Sequence, residues 1–259
     1  MNGSQVRGLL SRKESAPLPL DVVFWKWKAK NSYRSSFSAH HVNVAASMVR
    51  RNYQRPHRIS CITDDPRGID SSVRIIPLWD EFRNIRNPSF RTGPSCYCRL
   101  RAYSKEAAQI IGPRFVSLDL DLVIVGDMAP VWDRDEDFIV WGDTMLKQEG
   151  GVPGYNGSMW MMTAGARSQV WERFNPDTSP QESHRAGRKG SDQGWVTHVL
   201  GIGEKTWTTE DGVYSYRKHL RNNDGTKNPL PGNARIVFFH GIPWTDFLPN
   251  MQWFRDNYR

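Results

Sequence analysis

The chain has 259 residues, 38% of them hydrophobic and 12% aromatic, with 11 Trp; this excludes a disordered polymer and suits one large or two small domains. Its 35 Lys and Arg against 27 Asp and Glu give a formal net charge of +8, a surplus that favours phosphate-bearing partners or a soluble basic surface. Cys61, Cys96 and Cys98 are too few and too oddly spaced for a disulfide framework, and no run nears the ~18 apolar residues of a membrane span. With no apolar signal core in residues 1–20, a cytoplasmic location is expected.

Residues 1–20 are polar, basic and Pro-punctuated and read as a flexible arm, leaving 21–259 as a single domain. "DVVFW" (21–25) reads as a buried first strand. Residues 36–53 read as a helix, with Phe37, Val42, Ala45 or Ala46, and Val49 at helical spacing and Ser36 or Ser38 as cap. A second strand (57–65) ends in Asp64 and Asp65, and a third follows at 73–78. Residues 96–112 predict a helix closed by Gly112. Next come an apolar run, "RFVSLDLDLVIV" (114–125), and a strand over 137–143 ending in Asp143. Strands alternating with helices imply a doubly wound, mainly parallel α/β sheet, whose ligands bind at the carboxyl ends of the strands. Two polar, cation-rich stretches, 175–191 and 217–233, read as long loops.

The carboxylates inside the apolar run carry the chemistry. On an extended strand, Asp119 and Asp121 point the same way, and a hard divalent cation relieves their repulsion. Strand-end aspartates facing solvent or capping a helix are the plainer alternative. "VSLDLDLV" (116–123) also satisfies the haloacid dehalogenase-like phosphatase pattern, with Asp119 as nucleophile and Asp121 as general acid/base. That motif belongs on a first strand, and here two strands precede it.

Six motifs occur in order: "CITDDPRGID" (61–70), "CYCRLRAYSKE" (96–106), the D-x-D run, "YNGSMWMM" (155–162), "SDQGW" (191–195) and "VFFHGIPW" (237–244). Together they resemble the GT-A fold nucleotide-sugar glycosyltransferases, in particular the glycogenin and bacterial galactosyltransferase-like family and related phage transferases. The resemblance spans roughly residues 21–245. It implies a GT-A fold, Rossmann-like with a small antiparallel part. It also implies a metal-dependent hexosyl transfer, retaining in that family, from a nucleotide diphosphate sugar such as UDP-glucose to an acceptor hydroxyl.

In that resemblance Asp119, Asp121 and His240 hold Mn²⁺ or Mg²⁺, while Arg99 meets the donor's phosphate or sugar. Trp25 and Lys26, at the end of the first strand, join Asp64 and Asp65 at the nucleotide. Asn156, Gly157 and Gly241 line the donor pocket, and Asp192 and Gln193 touch sugar hydroxyls. An inverting variant would need a general base, with Asp192 first and Asp143 second. The family's Lys after the late His is replaced by Ile242, with Lys147, Lys189 or Arg185 as substitutes from loops. Basic groups at Lys26, Lys28, Lys30 and Arg34, at Arg50, Arg51, Arg55 and Arg58, and at Arg185, Arg188 and Lys189 fit a DNA acceptor carrying a hydroxymethylated pyrimidine. A glycan, lipid-linked or small-molecule acceptor is the alternative. A non-catalytic nucleic-acid-binding module would need neither Asp119 nor Asp121.

Overall fold

The computed structural model describes residues 19–28, 37–88, 95–142, 152–221, 229–240 and 251–259. β1 (Leu20–Lys26) is buried along its whole length and pairs in parallel with β2 (His57–Thr63) and β4 (Arg114–Leu118). A strand covered on both faces needs apolar residues at consecutive positions, which "LDVVFWK" supplies. β3 (Arg74–Pro77) extends the parallel block beyond β2. On the other side, β7 (Asn156–Thr163) runs antiparallel to both β4 and β6 (Phe138–Trp141), and β6 pairs in parallel with β8 (Thr206–Trp207). The seven-stranded order is β3-β2-β1-β4-β7-β6-β8. A three-stranded sheet sets β10 (Ile236–Phe238) between antiparallel β5 (Leu122–Ile124) and parallel β9 (Val213–Ser215).

Successive residues of β1 feed two cores. Val22 and Phe24 join α1 (Ala39–Asn52), β5 and β10 in one cluster. Val23 and Trp25 join residues 97–111 and Trp160 in the other. Ser38 caps α1 in a reciprocal box with His41, and both Ala45 and Ala46 are buried.

Three expectations are corrected. The predicted 96–112 helix divides into a 3₁₀ helix (Tyr97–Tyr103) and a short α-turn (Ala107–Ile110), separated by an extended Ser104. Cysteines and aromatics are weak helix formers, and six of the seven residues in the first piece are buried, so tertiary packing sets its winding. Gly112 lies beyond the helical turn, and its lack of a side chain serves a different contact: a Cβ there would land on the carboxylate of Asp21. That carboxylate is fully buried and accepts two hydrogen bonds from Arg58, at 2.9 and 2.8 Å.

The second correction concerns the Asp-bearing run, which is two strands rather than one. The Asp119 N–H still donates to the Ser158 carbonyl, at 2.9 Å, and then the chain leaves the large sheet. β5 resumes in the small sheet, so Asp119 and Asp121 occupy the joint where the apolar run changes sheets. Third, the stretch 175–191 contains a helix (Ser179–Arg185), and 217–233 begins inside a π-helical turn (Tyr216–Leu220).

Candidate active site

The carboxyl ends of β1, β2 and β4 open toward one edge, where the joint carrying Asp119 and Asp121 meets the start of the Asp192–Leu200 helix. Arg99, presented by the 3₁₀ helix and 4% exposed, lies between them. Its Nε and Nη2 donate to Asp192 Oδ2 at 2.7 and 2.6 Å, and its Nη1 donates to Asp119. Burial opposes the guanidinium charge, but Asp192 and Asp119 outweigh it and hold the Arg99 pKa well above the usual value. Asp192 titrates high because burial disfavours its charge and Asp119 repels it, against the pull of Arg99.

Gly157 packs against this chain. A Cβ there would sit 3.0 Å from Arg99 Nη2 and 3.3 Å from Gln193 Cβ, so the glycine permits the approach. The Gly157 N–H donates to Gln193 Oε1 at 3.1 Å, and Gln193 Nε2 donates to the Lys189 carbonyl at 3.4 Å. Both ends of the amide are thereby fixed. Asn156 is buried and accepts the Ser158 N–H at 2.9 Å. A small cavity behind Gly157 has Tyr103, Tyr155, Trp160, Asp192 and Gln193 in its wall.

Asp121 is the anomaly of the site. Its Oδ1 is buried without a hydrogen-bond partner, and burial followed by the Asp119 charge drives its carboxyl far above the ordinary range. A buried acceptor of this kind lacks its counter-group. With Asp119 and Asp192 it makes three carboxylates against one guanidinium, a surplus that suits a hard cation. His240 approaches from the end of β10, as the neighbouring Phe239 N–H donates to the Asp121 carbonyl at 2.8 Å. The His240 Nε2 lies 2.8 Å from Ser215 Oγ, and its ring edge packs on Trp141. Burial, then the charge of Arg217, lowers its pKa to about 4, so the imidazole is neutral.

Among the described residues, however, no group of three His, Cys, Asp or Glu side chains is gathered closely enough to hold a metal ion. Asp119 is turned to Arg99 and His240 to Ser215. The donor chemistry therefore fits a cation at the carboxylate pair, while the Nε2 of His240 is engaged by Ser215.

The first-strand residues divide. Trp25 is a core residue rather than part of an open donor pocket: its Nε1 donates to Ser117 Oγ at 2.8 Å and its ring meets Trp79 edge-on. Lys26 Nζ donates to the Asp65 carbonyl at 2.6 Å, and Asp64 accepts the Lys28 N–H at 3.1 Å and pairs with Arg83. Asp65 pairs with Arg67, whose hydrogen bonds hold its carboxyl well below the usual range. The "TDD" corner is thus braced internally. Arg83 and Ser215 were not singled out from sequence, because nothing local marks either one. Phe82, at φ 62 and held between Trp171 and Phe174, sets the backbone that presents Arg83.

Asp143, Lys147, Gly241, Ile242, Lys30 and Arg34 lie outside the described residues. The second basic group is spent elsewhere: Arg55 pairs with Asp133, Arg58 with Asp21, Arg50 donates to Ser72 and Arg51 to backbone carbonyls of Asn257 and Arg259. Arg55 and Arg58 flank the start of β2, at the amino edge of the sheet, opposite the site.

No protein-family model and no curated protein matches the sequence. Solved structures do. An active-site mutant of LgtC aligns with a TM-score of 0.59 at 16% identity, over 91% of this chain and 93% of that one. The galactosyltransferase LgtC in complex with donor and acceptor sugar analogues gives 0.52 at 15% identity, over 86% and 87% of the two chains.

The chain has a GT-A fold. Mouse xyloside xylosyltransferase 1, in its apo form, shares it, with a TM-score of 0.50 at 10% identity over 86% of this chain and 98% of that one. Within the GT-A fold, the mixed seven-stranded sheet and its small companion match the architecture expected from the motif order. Asp119 follows the fourth strand with a guanidinium on its carboxylate, a poor setting for a phosphatase nucleophile. Among the described residues, no helix is long and apolar enough to cross a membrane.

Proposed function

We propose that this protein is a glycosyltransferase that moves a hexose from a nucleoside diphosphate sugar, UDP-glucose or a close analogue, to an acceptor hydroxyl. The observation that carries the reading is the buried chain Asp119–Arg99–Asp192, with Gly157 and Gln193 packed on it, at the carboxyl edge of a GT-A sheet. Fold likeness to galactosyl- and xylosyltransferases supports it.

In this reading Asp119 and Asp121 would hold a divalent cation, Mn²⁺ or Mg²⁺, which neutralises charge on the departing diphosphate. His240 would contribute through Nδ1, with its Nε2–H given to Ser215 Oγ, an arrangement that fixes ring and tautomer. Arg99, locked between two carboxylates, orients them and presents its remaining N–H edge to the donor. Gln193, fixed at both ends of its amide, and Asp192 would meet the sugar hydroxyls. Asp192 is a weak candidate for a general base, since its Oδ2 already accepts two N–H groups of Arg99. That favours retention: the acceptor oxygen bonds to C1 as the C1–phosphate bond breaks on the same face. The acceptor proton then passes to the leaving phosphate oxygen.

The second basic group offers a hydroxymethylated base in DNA little, because its arginines are tied down at the opposite edge. Titration calorimetry with UDP and Mn²⁺, followed by release of hexose from UDP-glucose or UDP-galactose, tests the reading. Binding that needs the cation and is lost in Asp121→Asn is expected. A chain that binds no nucleoside diphosphate in any metal overturns it.

A further inference from the structure

Several described arginines are tied to a carboxylate, among them Arg55 to Asp133, Arg67 to Asp65, Arg101 to Glu81, Arg134 to Glu136 and Arg167 to Glu204. Arg217 and Lys218 are not. Both are exposed, and among the described residues neither side chain has a hydrogen bond or an ion pair. They also occupy a particular place. β9 runs parallel to β10 with Ser215 opposite Phe238, two residues before His240. The Ser215 Oγ meets His240 Nε2 at 2.8 Å and accepts the Lys218 N–H at 3.1 Å. The Ser215 N–H in turn donates to His219 Nδ1 at 3.0 Å. A single hydroxyl therefore knots the first residues of the Tyr216–Leu220 turn, which carries Arg217 and Lys218, to the imidazole. The turn is π-helical, a rare winding that tends to occur at functional sites.

Two cations without partners of their own, on a turn anchored beside His240, form a site for a multiply charged anion. We propose that Arg217 and Lys218 grip the diphosphate of the donor and stabilise its charge as it leaves, in place of the loop cations Lys147, Lys189 and Arg185. The assignment rests on the glycosyltransferase reading. It goes beyond that reading by giving the leaving-group charge to a turn that is remote in sequence from the carboxylate joint. The two cations would share the neutralising work with a divalent cation held by Asp119 and Asp121. Arg supplies a planar fork for two phosphate oxygens, and Lys a compact point charge.

The test is calorimetric titration of inorganic pyrophosphate, UDP and uridine, each with Mn²⁺, into the wild type, Arg217→Gln/Lys218→Gln and Arg50→Gln. Arg50 lies on α1 at the far edge and controls for net charge. Pyrophosphate carries no base, so the result does not depend on which nucleoside the donor has. The double variant is expected to keep the wild-type melting temperature, since both side chains are exposed, and to lose pyrophosphate and UDP affinity at least ten-fold. Uridine binding should be unchanged, and Arg50→Gln should match the wild type. Wild-type binding of both phosphates that the double variant leaves intact overturns this assignment and spares the glycosyltransferase reading. A wild type that binds neither phosphate overturns both.

Discussion

Arg99 holds two carboxylates that are distant in sequence, and removing it shows what that position is worth. Arg99→Met leaves Asp192 and Asp119 facing each other in a buried site without their counter-charge, which is expected to cost about 3–5 kcal/mol in urea denaturation. Adding Asp192→Asn should recover part of the loss, because it removes one of the stranded charges. Strictly additive losses would falsify the view of one coupled cluster. The residue types of this cluster were legible in the sequence: Asp119, Asp121, Arg99, Asp192 and Gln193 all stood in motifs. Their arrangement was not. Arg99 and Asp192 are 93 residues apart, and no local pattern says that one guanidinium bridges two acids.

At the scale of elements, the turn between the Ala107–Ile110 helix and β4 depends on the absence of a side chain at Gly112. Asp21, in the neighbouring strand, fills the space a Cβ would need, so Gly112→Ala must displace a fully buried, doubly hydrogen-bonded carboxylate. A loss of about 3 kcal/mol is expected, read as a lowered melting temperature. A melting temperature equal to the wild type would mean that Asp21 moves aside freely. The sequence offered Gly112 as a helix stop, a sound local reading. The true constraint comes from the strand beside it. The 114–125 run behaves similarly: its apolar character was read correctly as strand, and its division between two sheets was not. Both halves are equally apolar, and only the partners β7 and β10 distinguish them.

For the whole molecule, pairing within the sheet decides more than composition. β7 was met in the sequence only as a motif, "YNGSMWMM" (155–162), yet it is central, antiparallel and pairs with both β4 and β6. The net charge of +8 is likewise divided by position, with many arginines consumed in braces such as Arg134 with Glu136 and Asp211, which joins the approach to β6 with the turn before β9. Arg134 hydrogen-bonds Glu136 and lowers its pKa from 4.5 to about 2. The folded-state value is depressed, so this brace stabilises fully above pH 4.5 and is lost as pH falls from 4.5 toward about 2. Solvent screening keeps the contribution to about 1 kcal/mol. Glu136→Gln should therefore be less stable than wild type by about that amount near neutrality, show a shallower pH dependence below pH 4.5, and converge with wild type toward pH 2. Parallel acid-denaturation curves for the two proteins would remove the brace from the account.

The sequence by itself determined the alternation that builds a parallel block, the D-x-D pair, and the order of the motif residues that the candidate site gathers. These are local patterns of polarity and spacing, fixed by side-chain chemistry alone. Tertiary structure decided that the D-x-D pair sits where the chain changes sheets and that Arg99 is sealed between two acids. It also decided that Trp25 serves the core, that Ser215 holds His240, and which cations remain unpaired. Each of these depends on contacts between segments tens of residues apart, whose partners are chosen by packing across the whole sheet rather than by neighbours along the chain.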